Sequence, residues 1–459
     1  LSPMRAFRPF LAATLAAAVA GCALAPPPDR EELALASPNR QVPPQWIAPG
    51  GTPAVVTERW LATFNDAALD ALVAEAIAYN PDLMVAASRI EQAAAYQRLA
   101  SGTLWPQVNA VARGGGQMGG DASGLQGGGI FANWELDLWG RVRAGSAAAE
   151  HQYVSTMLDT AFAQQSIAAQ VAKGWFLATE ARMLKELAEE TVQASTRITF
   201  LSEERMRVGV GDEYDLRLAQ ANLQTYRDAV QNLDNAYQQA VRSLEILVGR
   251  YPAAILSVPS TLSTPLAVVP VGMPSELLER RPDVIAADRR VAAAFYRTQE
   301  AKAARLPRIS LTATLTSVSS ELFVLKERDN PVWSAGASIV APLFLGGQLQ
   351  SQVEIRTAEQ QQALAEYARI GSRAFAEVEN ALSASFALDA REAILRQAVI
   401  EYERTVVLAN DRYRVGSADL RAVMQQNLAL YAAQASLLRV RSERLVQRVN
   451  LHLALGGAF

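Results

Sequence analysis

This 459-residue chain has one cysteine, two histidines and no long run of lysine or arginine, and each scarcity removes a class of function. A lone thiol, Cys22, cannot form an internal disulfide. His151 and His452 sit isolated on predicted helices, with no nucleophile, metal-ligand cluster or glycine-rich phosphate loop beside them. That argues against an exported enzyme and against a metal-binding protein. A net charge of −3 with 19% charged residues leaves no electrostatic footprint for nucleic acid. Proline is absent from Gln107 to Tyr251 and again from Leu343 to the C-terminus, as long uninterrupted helices require. Half of the residues are hydrophobic, which excludes a disordered chain.

The N-terminal stretch reads as processing signal and tether. Arg5 and Arg8 precede an apolar segment from Phe10 to Ala20 that is too short to span a bilayer, so residues 1–21 are expected to be an export signal peptide. Cys22 follows Val19-Ala20-Gly21, which resembles the lipobox of bacterial lipoproteins. By that resemblance Cys22 carries covalent lipid, and Ala23 after it favours the outer membrane. Ten of the 21 prolines lie before residue 54, so residues 22–56 read as an extended, lipid-anchored linker.

The remainder is a tandem duplication. At a shift of 201, Asn80-Pro81-Asp82 with Arg89 and Pro106 matches Arg281-Pro282-Asp283 with Arg290 and Pro307. At a shift of 207, Leu136 to Arg141 matches Leu343 to Gln348, and Arg207-Val208-Gly209 matches Arg414-Val415-Gly416; Leu247-Val248-Gly249 pairs with Leu455-Gly456-Gly457. A first repeat over 57–250, a connecting segment over 251–274 and a second repeat over 275–459 follow. Arg141 to Arg207 predicts one helix on the order of 100 Å long. After it, Leu216, Ala219, Leu223, Tyr226, Val230, Leu233, Tyr237, Ala240, Leu244 and Leu247 form a heptad seam. On the last helix Gln426, Arg444 and Gln447 interrupt the matching stripe, which fits either a wet lumen or a seam displaced by one position.

Four segments alternate with period two, in hairpins at about 106–139 and 308–345. Val108, Ala110 and Ala112 share a face, as do Ile130, Ala132, Trp134, Leu136 and Leu138; Ile309 to Leu315 and Trp333 to Leu345 repeat the pattern. One apolar face against a face of hydroxyl, glycine and acidic residues suits a wall between lipid and water. Four strands cannot close a membrane barrel, and a membrane tolerates no open edge, so several chains are expected to build it.

In this order and duplicated, the lipobox, Trp60, Asn80-Pro81-Asp82, Trp134 to Arg141, Arg205 to Gly209, Arg280 to Asp283, Pro342-Leu343-Phe344 with Gly346-Gly347, Arg412 to Gly416 and Leu455-Gly456-Gly457 closely resemble the TolC/OprM outer-membrane factors. The likeness is to their NodT-like lipoprotein branch. It implies a mainly α fold with membrane β-strands: a long-helix coiled-coil barrel, plus four strands per chain completing a 12-stranded barrel in a homotrimer. It also implies a periplasmic adaptor and an inner-membrane RND-type pump as partners, no cofactor beyond the lipid on Cys22, and no enzymatic activity. A type I protein-secretion duct and a periplasmic adaptor or scaffold lipoprotein stay open as alternatives, the lipobox favouring small-molecule efflux and the duplication opposing an adaptor. The helix reversals at about 207–215 and 412–420 correspond to the pore end. There the resemblance offers Asp212, Asp215, Asp411, Arg412 and Arg414 as constriction or gate residues, and Arg207, Val208, Gly209, Arg414, Val415 and Gly416 as the adaptor-docking surface. Gly209 and Gly416 are expected to end the long helices, and Asp212 and Ser417 to start the next ones. Ala422 and Gln425 stand where some members carry two aspartates, which leaves Asp215 as the candidate anionic ring.

Overall fold

The computed structural model describes residues 26–28, 42–50, 56, 59–113, 126–264, 269–319 and 332–457. Cys22 and the export signal lie outside these residues. The elements run α1 (Ala67–Tyr79), α2 (Pro81–Gly102), β1 (Gln107–Arg113), β2 (Gln126–Leu136), α3 (Arg141–Arg207), α4 (Glu213–Leu247), α5 (Leu277–Arg280), α6 (Pro282–Ala303), β3 (Arg308–Ser319), β4 (Val332–Val340), α7 (Gln348–Arg414) and α8 (Leu420–Ala454). The duplication is visible in the lengths. Helices α2 and α6 have 22 residues each, α3 and α7 have 67, and α4 and α8 have 35.

The packing divides the chain into two compact units. One contains Ser88–Leu158 and Ile285–Ile370; the other contains Gln41–Ala87, Asp159–Val284 and Gly371–Phe459.

In the first unit, the four strands form one antiparallel sheet in the order β1-β2-β3-β4. The strands end earlier than the alternation suggested: Leu138 lies in a turn, and Leu343 and Leu345 lie beyond β4. Asp137 explains the first end, because its carboxylate accepts from the N–H groups of Val142 and Arg143 (3.0 and 2.8 Å) and so starts α3.

The second unit holds the main core. Trp60, Phe64, Leu69 and Val73 pack against Ile167 to Phe176 of α3, Val241 and Leu244 of α4 and Leu445 and Val449 of α8. All ten seam residues of α4 are buried or half-buried, as the heptad requires. The two repeats close in the same way at atomic level. Asn80 caps α2, accepting from Asp82 and Leu83 N–H, and its amide donates to the Leu247 carbonyl at the end of α4 (2.8 Å). Arg281 occupies the equivalent place and donates to the carbonyl of Ala454 at the end of α8 (3.2 Å) while paired with Asp283 and Glu377. Leu247 therefore corresponds to Ala454, and Gly249 (φ 79°) to Gly456 (φ 70°). The pairing of Leu247 with Leu455 read from sequence is off by one residue, because two adjacent glycines follow Leu455. A side chain at Gly249 would meet the Tyr79 carbonyl oxygen at 2.5 Å.

Each long hairpin also carries an ion-paired layer, in the same place with opposite signs. In the first repeat Lys185 of α3 pairs with Asp234 of α4 at 2.7 Å and with Glu189 at 3.7 Å. In the second, Glu392 of α7 pairs with Arg441 of α8 at 3.2 Å, with Arg396 at 2.7 Å, and with Arg444. Burial opposes ionisation of Glu392, and the surrounding guanidiniums outweigh it and hold its pKa below the ordinary value. Arg444, which interrupts the α8 stripe, is thus engaged with Glu392 and Asp389 of α7.

His452 is buried in this core, stacked on Trp60 with ring centroids 5.6 Å apart, and neither ring nitrogen has a hydrogen-bond partner. Burial, with help from the Arg448 charge, lowers its pKa to about 3. A free histidine titrates near ~6.5, so below that pH the unfolded chain binds a proton that the native state refuses. The stability present above that value is lost progressively as pH falls towards the folded pKa. His452→Phe, which keeps the ring stack, is expected to flatten the acid dependence. Thermal midpoints measured between roughly pH 8 and 4 should fall less in the variant than in the parent; an equal fall would contradict this assignment.

Candidate functional site

Two regions carry surface that the fold alone leaves unused. The first is the sheet. Its register lines up one apolar face across all four strands: Val108 with Ala132, Ala313 and Ala335; Ala110 with Ile130, Leu315 and Trp333; Leu136 with Ile309 and Ile339. Large members of this face, among them Val108, Ile130, Leu315, Trp333 and Ile339, are exposed. The other face carries Asn133, Thr312 and Gly336 in one row and Glu135, Ser310 and Ser338 in the next, with Phe131, Val111, Val332 and Val340 as its apolar departures. At one end of the sheet the Trp134 and Trp139 indoles donate to the Leu104 and Pro307 carbonyls (2.9 and 2.7 Å). Arg141 holds Glu135 at 2.7 Å and lies 3.8 Å from Glu300.

The second region is the pair of tips in the other unit. Both long helices end in the same left-handed glycine turn. Gly209 (φ 77°) and Val210 donate back to Met206 and Arg205 carbonyls, and Gly416 (φ 75°) and Ser417 donate to Tyr413 and Arg412 carbonyls. Asp212 starts α4, its carboxylate accepting from Tyr214 N–H. The start of α8 is Asp419, which accepts from Ala422 N–H at 2.8 Å. Ser417, expected there from sequence, instead turns its hydroxyl onto the Arg412 carbonyl. The shift of 207 applied to Asp212 identifies Asp419 directly, so this signal was in the sequence.

Asp215 is half-buried beside the helix starts. Burial raises its pKa, and Asp212 and Asp419 raise it further against the opposing charges of Arg205 and Arg421. Those two arginines tie the hairpins together. Arg205 donates to the Tyr413 carbonyl (3.1 Å) with its guanidinium 4.6 Å from the Tyr413 ring centre. Arg421 donates to the Tyr214 hydroxyl (3.3 Å) and lies 5.7 Å from that ring centre. Of the acids and arginines read from sequence, Asp212 and Asp215 enter this cluster. Asp411, Arg412 and Arg414 are exposed on the last turn of α7, outside the charges that act on Asp215. Arg205 and Tyr413 lie in the tip motifs read from sequence but were given no gate role there, and Tyr214, Asp419 and Arg421 were not singled out. The approach of the hairpins is what brings these arginines and tyrosines into contact. Val208, Val210 and Val415 are exposed at the turns, and Arg207 is held by Glu204 at 2.7 Å.

A family model described as outer membrane efflux protein matches residues 72–250 and 273–457. The pyoverdine export outer membrane protein OpmQ of Pseudomonas aeruginosa is 28% identical over 435 residues, covering 91% of each chain. The cation efflux system protein CusC of Escherichia coli is 27% identical over 453 residues, covering 97% of each. Among solved structures, the outer-membrane channel OprN matches with a TM-score of 0.83 at 25% identity, covering 91% of this chain and 98% of that one. The open state of the Neisseria gonorrhoeae MtrE outer membrane channel matches with 0.81 at 25% identity, covering 91% and 97%.

Space around the turn glycines separates strain from packing. An added Cβ meets nothing within 4 Å at Gly209 or Gly416. Alanine there is expected to cost only the left-handed backbone strain, about 1–2 kcal/mol each. Gly249→Ala adds a collision with the Tyr79 backbone and is expected to cost more. Denaturant unfolding of the three variants checks the order; equal losses would contradict it.

Proposed function

Because the chain belongs to the outer membrane efflux protein family, we propose that it is the outer-membrane exit channel of a tripartite efflux system, conducting small molecules across the periplasm and the outer membrane. The observation that carries this reading is the sheet, whose register gathers one exposed apolar face against one largely polar face. An apolar face without protein cover suits lipid, and a polar face suits a water-filled bore. No described helix is long and apolar enough to cross a membrane; in this reading the strands, by their two-faced register, are the elements that span it.

Four strands per chain fit a barrel of twelve shared by three copies, continued by the coiled-coil hairpins as an α-helical tunnel. The channel reading assigns no catalysis, and it needs a periplasmic adaptor and an inner-membrane pump of the RND type to load the duct. The tips are the adaptor-facing end, with the exposed turns around Val208-Gly209 and Val415-Gly416 as the docking surface. Repetition around a symmetry axis multiplies each tip charge, so Asp212, Asp215 and Asp419 form an anionic constriction, and the Arg205–Tyr413 and Arg421–Tyr214 contacts hold it narrow. Cys22 anchors the mature chain to the membrane through lipid without helping to build the channel. The cargoes in the relatives' names differ, pyoverdine for OpmQ and cations for CusC, which supports a duct that works by aperture and field.

Planar-bilayer recording tests this. The purified protein is expected to give discrete conductance steps with cation preference, which Asp215→Ala reduces. Acidification should reduce it too, at a higher pH than an ordinary aspartate would require, because the Asp215 pKa is raised. Arg205→Ala with Arg421→Ala should increase the conducting fraction. A parent protein that leaves the bilayer silent at all voltages would sink the channel reading. Separately, Cys22→Ser is expected to lose incorporation of radiolabelled fatty acid while conductance persists; undiminished label would remove the anchor.

A further inference from the structure

The sheet face opposite Ile309, Leu311 and Ala313 carries little charge. Among the strand residues whose side chains are described, Glu135 and Arg308 are its charged members. Glu135 is already neutralised, because the Arg141 guanidinium holds both its oxygens at 2.9 and 2.7 Å. Two further acids beside this end of the sheet are engaged as well, Asp137 with Arg143 at 3.2 Å and Glu300 at 3.8 Å from Arg141. Arg308, the first residue of β3, is exposed and has no ion pair with any described residue. Resting on the barrel reading above, in which this face lines the bore, we propose that Arg308 sets the ion preference of the barrel. One per copy, it forms a cationic ring in the bore and favours solutes that carry carboxylate or other anionic groups.

The duplication supplies an internal control. At the shift of 201 that carries Pro106 onto Pro307, Arg308 corresponds to Gln107, the first residue of β1. The two stand in the same place in their hairpins, Gln107 paired with Asn133 and Arg308 with Val340. Gln107 turns its amide back onto the Gly102 carbonyl at the end of α2 (3.1 Å), whereas no described group holds the Arg308 guanidinium. One repeat thus builds this corner with a neutral amide, so the fold does not require a cation there. Lys302 and Arg305, just before the strand, repeat the contrast: both are exposed without an ion pair among the described residues, and Ser101 and Leu104 are their counterparts. Lys302 in the last turn of α6 complements the helix dipole. Arg308, in a strand, has no such use.

The chemistry suits the role. A guanidinium stays charged throughout the physiological pH range and meets a carboxylate through two parallel N–H donors. Rings of arginine or lysine favour anions, as rings of aspartate or glutamate favour cations. Such a field acts over about 8 Å at physiological ionic strength and only about 3 Å at 1 M salt, so it is felt by a passing solute in the first condition and is nearly lost in the second. The tip acids Asp212, Asp215 and Asp419 belong to the other compact unit. The two signs are therefore set by different parts of the chain and can be varied separately.

Ser310 follows Arg308 by two residues on the same face, roughly 7 Å along the strand. In a Cys22→Ser, Ser310→Cys protein reconstituted into liposomes, the test compares the reaction rates of an anionic and a cationic water-soluble thiosulfonate. Arg308→Gln installs the residue the first repeat already carries. It should lower the anionic-to-cationic rate ratio roughly fivefold at about 0.01 M salt, as one charge at that distance requires in water, and hardly at all at about 1 M. Arg308→Lys should keep the parent ratio. In planar bilayers Arg308→Gln should raise the cation preference that Asp215→Ala lowers. If Arg308→Gln inserts poorly, the parent's own ratio gives a second reading: it should fall between the two salt concentrations, and a constant ratio would overturn the ring. A ratio indifferent to Arg308→Gln at low salt, with Ser310→Cys reactive and Leu311→Cys protected, would overturn the ring and leave the barrel standing. Ser310→Cys inert to both reagents would overturn the barrel reading as well.

Discussion

Every backbone N–H and C=O in hydrocarbon needs a protein partner, since no water is available to replace one. A four-stranded sheet with an exposed apolar face and two unpaired edges cannot meet that need alone. This constraint links most features of the molecule. It explains why the apolar face is kept in register across four strands and why β4 fades where its neighbour ends. In the proposed multi-chain barrel the duplication has a use: two similar hairpins in one chain, repeated around an axis, would close a ring with few distinct junctions.

Duplication left different parts of the chain free to diverge. Positions that fix backbone geometry kept their chemistry, as in the left-handed Gly209 and Gly416 and the helix-starting Asp212 and Asp419. Positions that only join helices kept a role but not a residue. Asn80 and Arg281 reach the same carbonyl end with different groups, and the layer of Lys185 and Asp234 reappears as Glu392 and Arg441 with the signs exchanged. An ion pair between two helices is indifferent to which helix carries which charge, provided both change together.

Much of the architecture was legible because its signals are periodic. Proline-free stretches marked α3 and α7, the heptad marked the buried seam of α4, and period-two alternation marked the sheet and its faces. Pairwise geometry was less legible. Leu343 and Leu345 alternate like strand residues, yet the isolated chain offers them no ladder. Ser417 sits beside the turn glycine and looks like a helix start, but Asp419, two residues later, has the carboxylate placed to accept from Ala422. His452 lies among Val449, Leu451, Leu453 and Leu455, but a single histidine on a helix fits a surface or a packing position, and only its stack on Trp60 decides for the core. At the tips, Arg205 and Tyr413 lie in the two repeated tip motifs, but their contact is set by the approach of the hairpins.

The central claim is that alternate residues of each strand face lipid and water. Labelling of single cysteines along β3, in a Cys22→Ser background and in intact membranes, tests it most directly. Ala313→Cys and Leu311→Cys should react with a membrane-soluble maleimide and resist a charged, water-soluble one, while Thr312→Cys and Thr314→Cys should show the reverse. Equal reaction of all four with the water-soluble reagent would mean that the sheet does not lie in a membrane.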